Sequence, residues 1–413
     1  MRVDKTPLSI LAVNKYHRLK GGAETIFFAE MEQLRERGHS VVPFSMKDDA
    51  NLSTPFEPYF VDAVDYEKSG LADKIIASSK ILYSWEARSK ISSLLDGTSF
   101  DVAHLHNIYH QISPSILAPL RQRKIPIVLT VHDLKLVCGN YKMYINGHVC
   151  ERCKGGKHFH LLLNRCTKGS LAGSLVNTVE MYLHDLLGFY RQVDVFIAVS
   201  HFYRDKLIEF GVEPDKIVVL PSFVDTRQYE VAESVGDYAL YFGRLSEEKG
   251  VDTFIDAAQH NPHIPHWIVG TGPEEELLKA RMSSLGLANV TFLGFQTGAA
   301  LKKLVREALT IVVPSRWYEN SPLTVLEAYA SGRPVVGADI GGIPELVGDD
   351  ESGLLFRSGN AQDLADQIAF LAADPARATA MGLRGRERIQ THFSEEVHIA
   401  RLLEIYRQAK ASF

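Results

Sequence analysis

Two carboxylates flank the start of a predicted helix in the stretch RWYENSPLTVLEAYASGRPVV, residues 316–336. Glu319 precedes this helix, and Glu327 lies inside it. Ser321 is a residue type that caps helices, and Pro322 suits the first helical position, where a missing N–H costs nothing. Amides at such a helix start bind anions, whereas carboxylates accept hydrogen bonds from hydroxyls. The stretch therefore predicts a site for a ligand that carries both phosphate and hydroxyl groups.

Two cations, Arg244 and Lys249, lie in the loop FGRLSEEKG at 242–250, directly after a predicted strand at 238–242. Ligands bind at the carboxyl ends of parallel strands, so both cations are expected to converge on one phosphate. The helix-start amides that would join them are those of Asn320, Ser321 and Leu323. Cations and amides suit a diphosphate, and the flanking acids suit hydroxyls, so the combined pattern describes a nucleotide-sugar. Taken singly, each of these side chains is also consistent with a solvated surface charge.

Two glycine-containing loops also follow predicted strands. KGGAE at 20–24 opens a helix after the first strand, and GTGP at 270–273, which begins with Gly270, precedes another helix. Glycines let backbone N–H groups approach an anion at a helix N-terminus. A plain strand–helix turn is the alternative for either loop.

All the cysteines lie in one short interval of the chain: Cys138, Cys150, Cys153 and Cys166. The middle two form a Cys-x2-Cys pair that can bind a single ion, and the outer two can complete a tetrahedral site. A glycine-rich segment with little apolar content needs a cross-link to hold its shape. We therefore expect a structural zinc, with buried free thiols, an iron–sulfur cluster or a regulatory disulfide as alternatives.

The composition excludes several classes of protein. A chain of 413 residues with 46% apolar and 23% charged residues is typical of a soluble protein of two or three domains. A net charge of −5 argues against a general nucleic-acid binder, so no nucleic-acid partner is expected. No apolar run is long enough to span a membrane, and the start MRVDKTPLSILAVN does not resemble a signal peptide. These features predict a cytoplasmic protein.

Short apolar runs alternate with amphipathic helical patterns in both halves of the chain. The strands predicted in the first half are 8–13, 40–44, 102–105, 127–131 and 195–199. Those predicted in the second half are 238–242, 267–269, 290–293, 311–313, 334–338 and 353–356. Such alternation predicts the α/β class, with two doubly wound, parallel-sheet (Rossmann-like) domains facing each other across a cleft. The segment 138–191 breaks the alternation and is interpreted as a Cys-rich insertion.

The motifs in this order resemble those of the family 4 retaining glycosyltransferases, which have the two-domain GT-B fold. The matching pieces are GGAE at 21–24, VHD at 131–133, VSHF at 199–202, YFGRLSEEKG at 241–250, VGTGP at 269–273, ENSPLTVLEAYASGRPVV at 319–336 and IGGIPELV at 340–347. The acid pair with seven intervening residues is the most specific of them. PSFVD at 221–225 departs from the Pro-Asn-Gly-Val-Asp of many members, which puts only local hinge contacts in doubt.

The resemblance assigns roles on the donor side of the cleft. It implies that Arg244 and Lys249 bind the donor diphosphate and neutralise the leaving group. Glu319 would contact hydroxyls of the transferred sugar, and Glu327 would contact the ribose of the nucleotide. The other donor-binding residues would be Gly270, Asn320, Ser321, Pro322 and Leu323. The expected domains are 1–220 on the acceptor side and 221–392 for the nucleotide-sugar.

The resemblance also assigns roles on the acceptor side. Gly22 would approach the phosphates or the acceptor from across the cleft, and His132 would lie close to the reacting sugar. The C-terminal segment 393–413 would form a helix that crosses back to the first domain. Retention without an obvious nucleophilic carboxylate fits a same-face displacement, in which the leaving diphosphate takes the proton of the acceptor hydroxyl. The cations would neutralise its charge, so no catalytic metal is expected.

The implied activity is transfer of a sugar from a nucleotide-diphosphate-sugar to a glycan or a lipid-linked sugar in bacterial cell-surface polysaccharide synthesis. A nucleotide-sugar epimerase, hydrolase or phosphorylase of the same architecture is one alternative. A phosphorylase would need a lysine-bound pyridoxal phosphate, and no residue identifies one. An alternative from a different class is a non-catalytic metal-binding scaffold built around the cysteines.

Segment 151–170 is basic, with five cations against one acid: Arg152, Lys154, Lys157, Arg165 and Lys168. The helical pattern that follows it carries apolar residues along one side: Leu171, Leu175, Val179, Leu183 and Leu187. One interpretation is a core-packed helix beside a solvated basic loop. The other is docking on an anionic membrane, where a lipid-linked acceptor would lie. The second interpretation places the protein at the inner face of the cell membrane.

Overall fold

The structure is a computed structural model that describes residues 6–63, 79–348 and 351–412. Residues 1 and 413, the outer bounds of the predicted domains, lie outside these ranges. The described chain forms two six-stranded parallel sheets and a two-stranded hairpin. The predicted α/β class with two doubly wound parallel sheets is confirmed.

The bounds of the described strands agree with the predicted strands to within one residue. In chain order the strands are β1 (Ser9–Val13), β2 (Ser40–Phe44), β3 (Val102–Leu105), β4 (Ile127–Val131), β5 (Tyr144–Ile145), β6 (His148–Val149), β7 (Val195–Ala198), β8 (Ile217–Val219), β9 (Ala239–Phe242), β10 (His266–Val269), β11 (Val290–Phe292), β12 (Thr310–Val313), β13 (Val335–Ala338) and β14 (Gly353–Phe356). The sequence analysis does not predict β5, β6 or β8, which have two or three residues each and show little periodicity, although it does predict β11, which also has three residues.

Helices connect most of these strands, as parallel pairing requires. In chain order the α-helices are α1 (Gly22–Glu36), α2 (Trp85–Gly97), α3 (Leu117–Gln122), α4 (Phe159–Leu163), α5 (Leu171–Leu187), α6 (His201–Glu209), α7 (Val251–Ala257), α8 (Glu275–Ser284), α9 (Gly298–Arg306), α10 (Leu323–Ala330), α11 (Ile343–Val347), α12 (Ala361–Ala373), α13 (Pro375–His392) and α14 (Glu395–Ala411). The inner strands of the two six-stranded sheets are apolar runs buried on both faces, as helices on both sides of a sheet demand, whereas the edge strands β8 and β11 are partly exposed.

The strand orders fix where each sheet can bind a ligand. The first sheet runs β2-β1-β3-β4-β7-β8 and the second runs β11-β10-β9-β12-β13-β14. The order reverses next to β1 in the first sheet and next to β9 in the second. At such a switch point neighbouring loops diverge and leave a crevice at the carboxyl ends of the strands. The loops after β9 and β12, which hold the predicted donor site, are therefore neighbours in space.

The last helix returns to the first sheet. Ile399, Leu402 and Tyr406 on α14 share one buried apolar cluster with Ile10 on β1 and Val102 on β3. A short parallel bridge between Val224 and Ser394 ties the start of this return to the segment that links the two sheets. The final helix is therefore part of the core of the first sheet.

The insertion contains a helix whose polar face is buried. Ser174, Asn177, Thr178, Glu180, Met181 and His184 on α5 are buried, whereas Leu171, Leu175, Val179, Tyr182, Leu186 and Leu187 are exposed. The physical reason is a buried ion pair, because Glu180 Oε2 lies 2.7 Å from Lys135 Nζ in the loop after β4. The interpretation of α5 as a core helix with its leucines inside is therefore wrong. Within the described residues no helix is long and apolar enough to cross a bilayer.

Candidate active site

Glu319 is buried in the loop after β12 and is held by two side chains. Its Oε1 accepts hydrogen bonds from Lys249 Nζ at 2.7 Å and from Ser315 Oγ at 2.6 Å. Lys249 Nζ also lies 5.2 Å from the centre of the Trp317 ring. The structure thus brings two predicted site residues together as an ion pair at the carboxyl ends of β9 and β12.

Two glycines in the loop after β13 support the main chain of this site. Gly342 N donates to Glu319 O at 2.8 Å. Gly341 has a φ of 62°, and a Cβ at this position would lie 2.6 Å from Glu319 N. A Cβ at Gly342 would overlap Asn320 O. The glycines of IGGIPELV therefore allow the backbone contact that positions Glu319, a role that the sequence analysis did not assign.

The helix after Glu319 starts later than predicted, and the prediction that Ser321 caps it is wrong. The first helical residue is Leu323, and Pro322 occupies the N-cap position with no side chain capping the helix. Pro322 has an extended ψ of 118°, so the helix cannot begin before it. Ser321 Oγ is buried and has no hydrogen-bond partner among the residues that the structure describes. An uncapped helix start beside an unpaired hydroxyl can donate to the oxygens of an anion.

A hydrogen bond joins the two halves of the chain beside Glu319. Asn320 Nδ2 donates to His132 O at 2.7 Å, which links the loop after β12 to the loop after β4. Glu345 on α11 accepts from His201 N at 2.7 Å, at the first turn of α6 in the other half. The cleft is therefore bridged at His132, next to the predicted donor site.

Gly22 and Leu323 face each other across this cleft. A Cβ at Gly22 would lie 3.4 Å from Leu323 Cδ1. Gly22 is the first residue of α1, and Gly21 before it offers no side-chain cap. Two uncapped helix starts, those of α1 and α10, therefore lie opposite each other.

Arg244 is the predicted cation that the structure does not bring to Glu319. Its side chain is exposed, and no ion pair or hydrogen bond of that side chain occurs within the described ranges. The loop that carries it packs closely on the loop after β10, since a Cβ at Gly270, where φ is 137°, would overlap Gly243 O. Gly270 therefore permits loop packing and leaves Arg244 free to meet a ligand.

Glu327 lies on the first turns of α10 in an environment different from that of Glu319. It lines a cavity of about 380 Å³ with Thr25 on α1, Leu323 and Tyr229. Burial raises the pKa of Glu327 to about 7, although the charge of Lys302 and a hydrogen bond with Tyr229 partly oppose the shift. Within the described ranges Glu327 forms no ion pair, and an acid of this kind in a cavity between the halves can accept hydrogen bonds from hydroxyls.

His132 is buried at the end of β4 and is hydrogen-bonded to a second histidine. His132 Nε2 lies 2.8 Å from His106 Nδ1, and the two rings are stacked. Burial lowers the pKa of His132 to about 4, with the neighbouring Glu30 opposing the shift. His132 is therefore neutral near pH 7. The sequence analysis missed His106, although its position just after β3 was a visible signal.

A polar cavity of about 250 Å³ opens beside His132 in the first half. Its lining includes Asp133, Lys135, Lys15, Asn107 and His110. Burial raises the pKa of Asp133 to about 6, although the amide of Lys135 donates to it at 2.9 Å. Ionisable and amide groups in this arrangement can bind a hydroxylated acceptor.

The four cysteines are free thiols in the insertion. Cys153 packs with Leu161, Met181 and Cys166 in a small apolar cluster. Burial raises the pKa of Cys153 to about 12, and the neighbouring thiols add to the shift. In the part of the chain that the structure describes, three ligand atoms within 4.8 Å of one another occur at Glu30, His104 and His106, and the sulfurs are not gathered that closely. The donor set suits zinc, but its spacing is wider than a bound ion requires.

Two family models match the chain. The model described as Glycosyltransferase Family 4 matches residues 20–228, half of the chain. The model described as Glycosyl transferases group 1 matches residues 226–388. Together they span residues 20–388, which include every described strand except β1 and all of the predicted site residues.

Similar proteins agree with these matches. The amylovoran biosynthesis glycosyltransferase AmsK of Erwinia amylovora is 27% identical over 241 residues, which are 55% of this chain and 59% of that protein. The chain thus spans less than two thirds of the length of that relative. Sucrose-phosphate synthase from Thermosynechococcus elongatus has a TM-score of 0.72 at 20% identity, covering 98% of this chain and 100% of that one. Anabaena HepE, solved with UDP and glucose, has a TM-score of 0.69 at 19% identity, covering 97% and 100%.

The two solved structures show the fold, because their sequence identity is too low to show more. Their fold is the GT-B arrangement, with two facing parallel-sheet domains, that the resemblance implied. The family is shown by the family model that matches half of the chain. This chain belongs to Glycosyltransferase Family 4.

Proposed function

We propose that this glycosyltransferase moves a sugar from a nucleoside-diphosphate-sugar to an acceptor hydroxyl with retention of configuration. The observation that carries the proposal is the ion pair between Lys249 and Glu319 beside the uncapped start of α10. A cation and free amides suit a diphosphate, and a carboxylate held at the same place suits sugar hydroxyls.

Each site residue then has a distinct role. Arg244 and Lys249, with the amides of Asn320 and Leu323, bind the diphosphate and stabilise the charge that develops on it. Glu319 accepts hydrogen bonds from the transferred sugar, and Glu327 accepts them from the ribose. The unpaired hydroxyl of Ser321 donates to a phosphate oxygen. Gly270 permits the loop packing that leaves Arg244 free, and the approach of Gly22 to α10 brings the α1 amides to the same site.

The reaction proposed is a displacement on one face of the sugar. The bond between the sugar and the diphosphate breaks, and the acceptor oxygen bonds to the same carbon from the same face. The proton of the acceptor hydroxyl passes to the departing diphosphate. The protein positions the reactants and supplies positive potential at the diphosphate. His132 contacts the sugar as a neutral imidazole and takes no proton in the reaction.

The acceptor we propose is a glycan or a lipid-linked sugar used in building cell-surface polysaccharide. AmsK, by its name, acts in amylovoran biosynthesis, which supports a polysaccharide product. The polar cavity beside His132 offers hydrogen-bonding groups to such a hydroxylated acceptor. HepE was solved with UDP and glucose, so UDP-sugars are the first donors to test.

The test is a thermal-shift screen of nucleotide-sugars against the full chain. A donor that binds only the folded protein stabilises it by about 2.7 kcal/mol at 100 times its Kd. The Glu319→Ala variant should lose most of this gain, whereas Lys303→Ala, on the outer helix α9, should keep it. Nucleotide release that depends on an added acceptor would separate transfer from epimerisation or hydrolysis. Failure of every nucleotide-sugar to raise Tm at saturation would contradict the proposal.

The second part of the proposal is that α4 and α5 dock on the anionic inner face of the cell membrane. The exposed apolar side of α5 is continued by Phe159, whose amide donates to Tyr182 Oη at 3.2 Å. Three nearby cations have no acidic partner within residues 79–348: Lys157, Arg165 and Lys168. An apolar face beside unpaired cations is the combination that binds anionic lipid, where a lipid-linked acceptor would be presented.

The third part of the proposal is a structural zinc bound by Cys138, Cys150, Cys153 and Cys166. It is supported by free thiols close enough to influence one another electrostatically, in a hairpin-containing insertion with a small apolar cluster. Zinc would hold the insertion in shape and take no part in transfer. The proposed domains are 1–220 with the insertion, 221–392 for the donor and 393–413 as the returning helix. The donor domain has its own buried cluster, and the returning helix shares a cluster with the first sheet.

A further inference from the structure

A buried group of polar side chains lies behind His132, around Glu30 on α1. Its other members are His104, His106, His398 and Tyr406. Glu30 Oε1 accepts from His398 Nε2 at 2.9 Å, and His398 Nδ1 lies 2.9 Å from Pro221 O. The group therefore runs from the segment between the sheets to the cleft, through the returning helix.

The second oxygen of Glu30 is buried and has no hydrogen-bond partner in the described part of the chain. The nearest ring nitrogens to it are His106 Nε2 at 3.5 Å and His104 Nδ1 at 3.6 Å. His104 Nδ1 already lies 2.7 Å from Tyr406 Oη. His106 Nε2 is therefore the nitrogen left to donate to the carboxylate.

This arrangement favours one proton position on each of two rings, those of His106 and His132. Burial raises the pKa of Glu30, but the hydrogen bond from His398 and the nearby imidazoles outweigh it and lower the pKa, so the carboxylate only accepts. A carboxylate oxygen 3.5 Å from His106 Nε2 favours a proton on that nitrogen. Because burial keeps His106 neutral, its Nδ1 is then an acceptor, and His132 Nε2 must donate to it.

We propose that Glu30 and His106 are positioning residues that fix His132 as its Nε2–H tautomer and leave its Nδ1 lone pair facing the cleft. Nδ1 forms no hydrogen bond within the described chain and is not among its fully enclosed polar atoms. It can therefore accept a hydrogen bond from a hydroxyl of the bound sugar or acceptor. The identity of that hydroxyl rests on the proposed function, but the proton position on the ring does not.

The proton position can be measured on the full chain without a ligand. Long-range 1H–15N NMR spectra of 15N-histidine-labelled protein distinguish a protonated ring nitrogen from a bare one, and His132→Asn identifies the signals of His132. We expect a protonated Nε2 and a bare Nδ1 in the wild type near pH 7. A proton on Nδ1 would overturn the proposal, and this result needs no variant of the buried group.

Two variants separate positioning from stability. Glu30→Met removes the carboxylate, so the His132 signals should shift toward a mixture of tautomers, and kcat should fall about 10- to 100-fold with little change in KM. Glu30→Gln keeps an accepting oxygen and should recover part of that rate. Tyr406→Phe removes the buried hydrogen bond between Tyr406 and His104, which is not one of the contacts that link Glu30, His106 and His132. It should therefore lower Tm without moving the His132 signals. An unchanged tautomer in Glu30→Met would contradict the proposal.

The two proposals can fail separately. If no nucleotide-sugar binds or turns over while His132 has the expected tautomer, the proposed function is wrong and the inference about the ring stands. If transfer is observed with His132 protonated at Nδ1, the function stands and the role of Glu30 is wrong.

Discussion

Lys249 Nζ lies 2.7 Å from Glu319 Oε1, although the two residues come from loops after different strands. Lys249 is partly exposed, whereas Glu319 is almost fully buried. The lysine therefore offsets the cost of burying the acid at the place where a donor diphosphate would bring further negative charge. Arg244 lies in the same loop as Lys249 but has no such partner in the described ranges.

Removing either cation should consequently lower the rate of transfer, but only removal of Lys249 should destabilise the protein. Lys249→Ala and Arg244→Ala should each lower the rate of transfer by about 10²–10³, since each removes charge from the leaving diphosphate. Lys249→Ala should also lower the free energy of unfolding by about 1–3 kcal/mol, because Glu319 is left buried and unpaired. Arg244→Ala should change it by less than about 0.5 kcal/mol. Urea unfolding and nucleotide-release rates measure both effects, and near-normal turnover by both variants would contradict the donor site.

Glu327 should make the stability of the protein depend on pH. Its pKa rises from 4.5 to about 7 on folding, so the folded state binds more protons than the unfolded state between these values. Stability contributed by this group is thus present below pH 4.5 and is lost as the pH rises through about 7. Glu327→Gln should stabilise the protein by up to about 3 kcal/mol at pH 8 and by less than about 1 kcal/mol at pH 5.

The same substitution tests the role of Glu327 in binding. Glu327→Gln should weaken the thermal shift given by a nucleotide-sugar even where it raises the Tm of the free protein. Gln362→Glu on α12, an exposed position away from the cleft, serves as a charge control. If the difference in stability between Glu327→Gln and the wild type is the same at pH 5 and pH 8, Glu327 is not held in a desolvated state.

Membrane docking should depend on both the apolar face and the cations of the insertion. Leu175→Asp/Leu186→Asp should abolish flotation with phosphatidylglycerol-rich liposomes. Each of these leucines, once buried in the membrane, would contribute roughly 1.5–3 kcal/mol to binding. Leu277→Asp, at an equally exposed leucine on α8 in the other half, should leave flotation unchanged. Binding of the wild type should fade as salt rises. If the wild type does not float at low salt, the exposed face of α5 has another partner.

The cysteine cluster predicts about one zinc per chain in protein purified without added metal. Elemental analysis of the wild type and of Cys150→Ser/Cys153→Ser measures this, and the variant should contain none. Because the insertion lies outside the donor site, the variant should still show a nucleotide-sugar thermal shift, but at a lower Tm. Metal-free wild-type protein with four titratable thiols would mean that these cysteines are simply buried thiols.

The sequence alone determined the two parallel sheets and the edge of them at which we propose the donor site. Alternating apolar runs and helical periods require parallel strands with crossover helices, and the carboxyl ends of such strands meet at one edge. Once the strands are placed, Lys249 and Glu319 lie at the same edge of one sheet, and the structure shows that their strands, β9 and β12, are neighbours. Local patterns are sufficient for this part because each strand and helix is defined by its own period.

Tertiary structure decided what local patterns leave open. The period of α5 shows an apolar and a polar face but not which face is buried, and the ion pair of Glu180 with Lys135 buries the polar one. Ser321 has the chemistry of a cap, but the extended backbone at Pro322 starts the helix beyond its reach. Glu30 and His398 are 368 residues apart in the chain and meet only because α14 returns to the first sheet. Contacts of this kind depend on how finished elements pack, because the free energy of a buried polar group is set by partners that the local sequence does not contain.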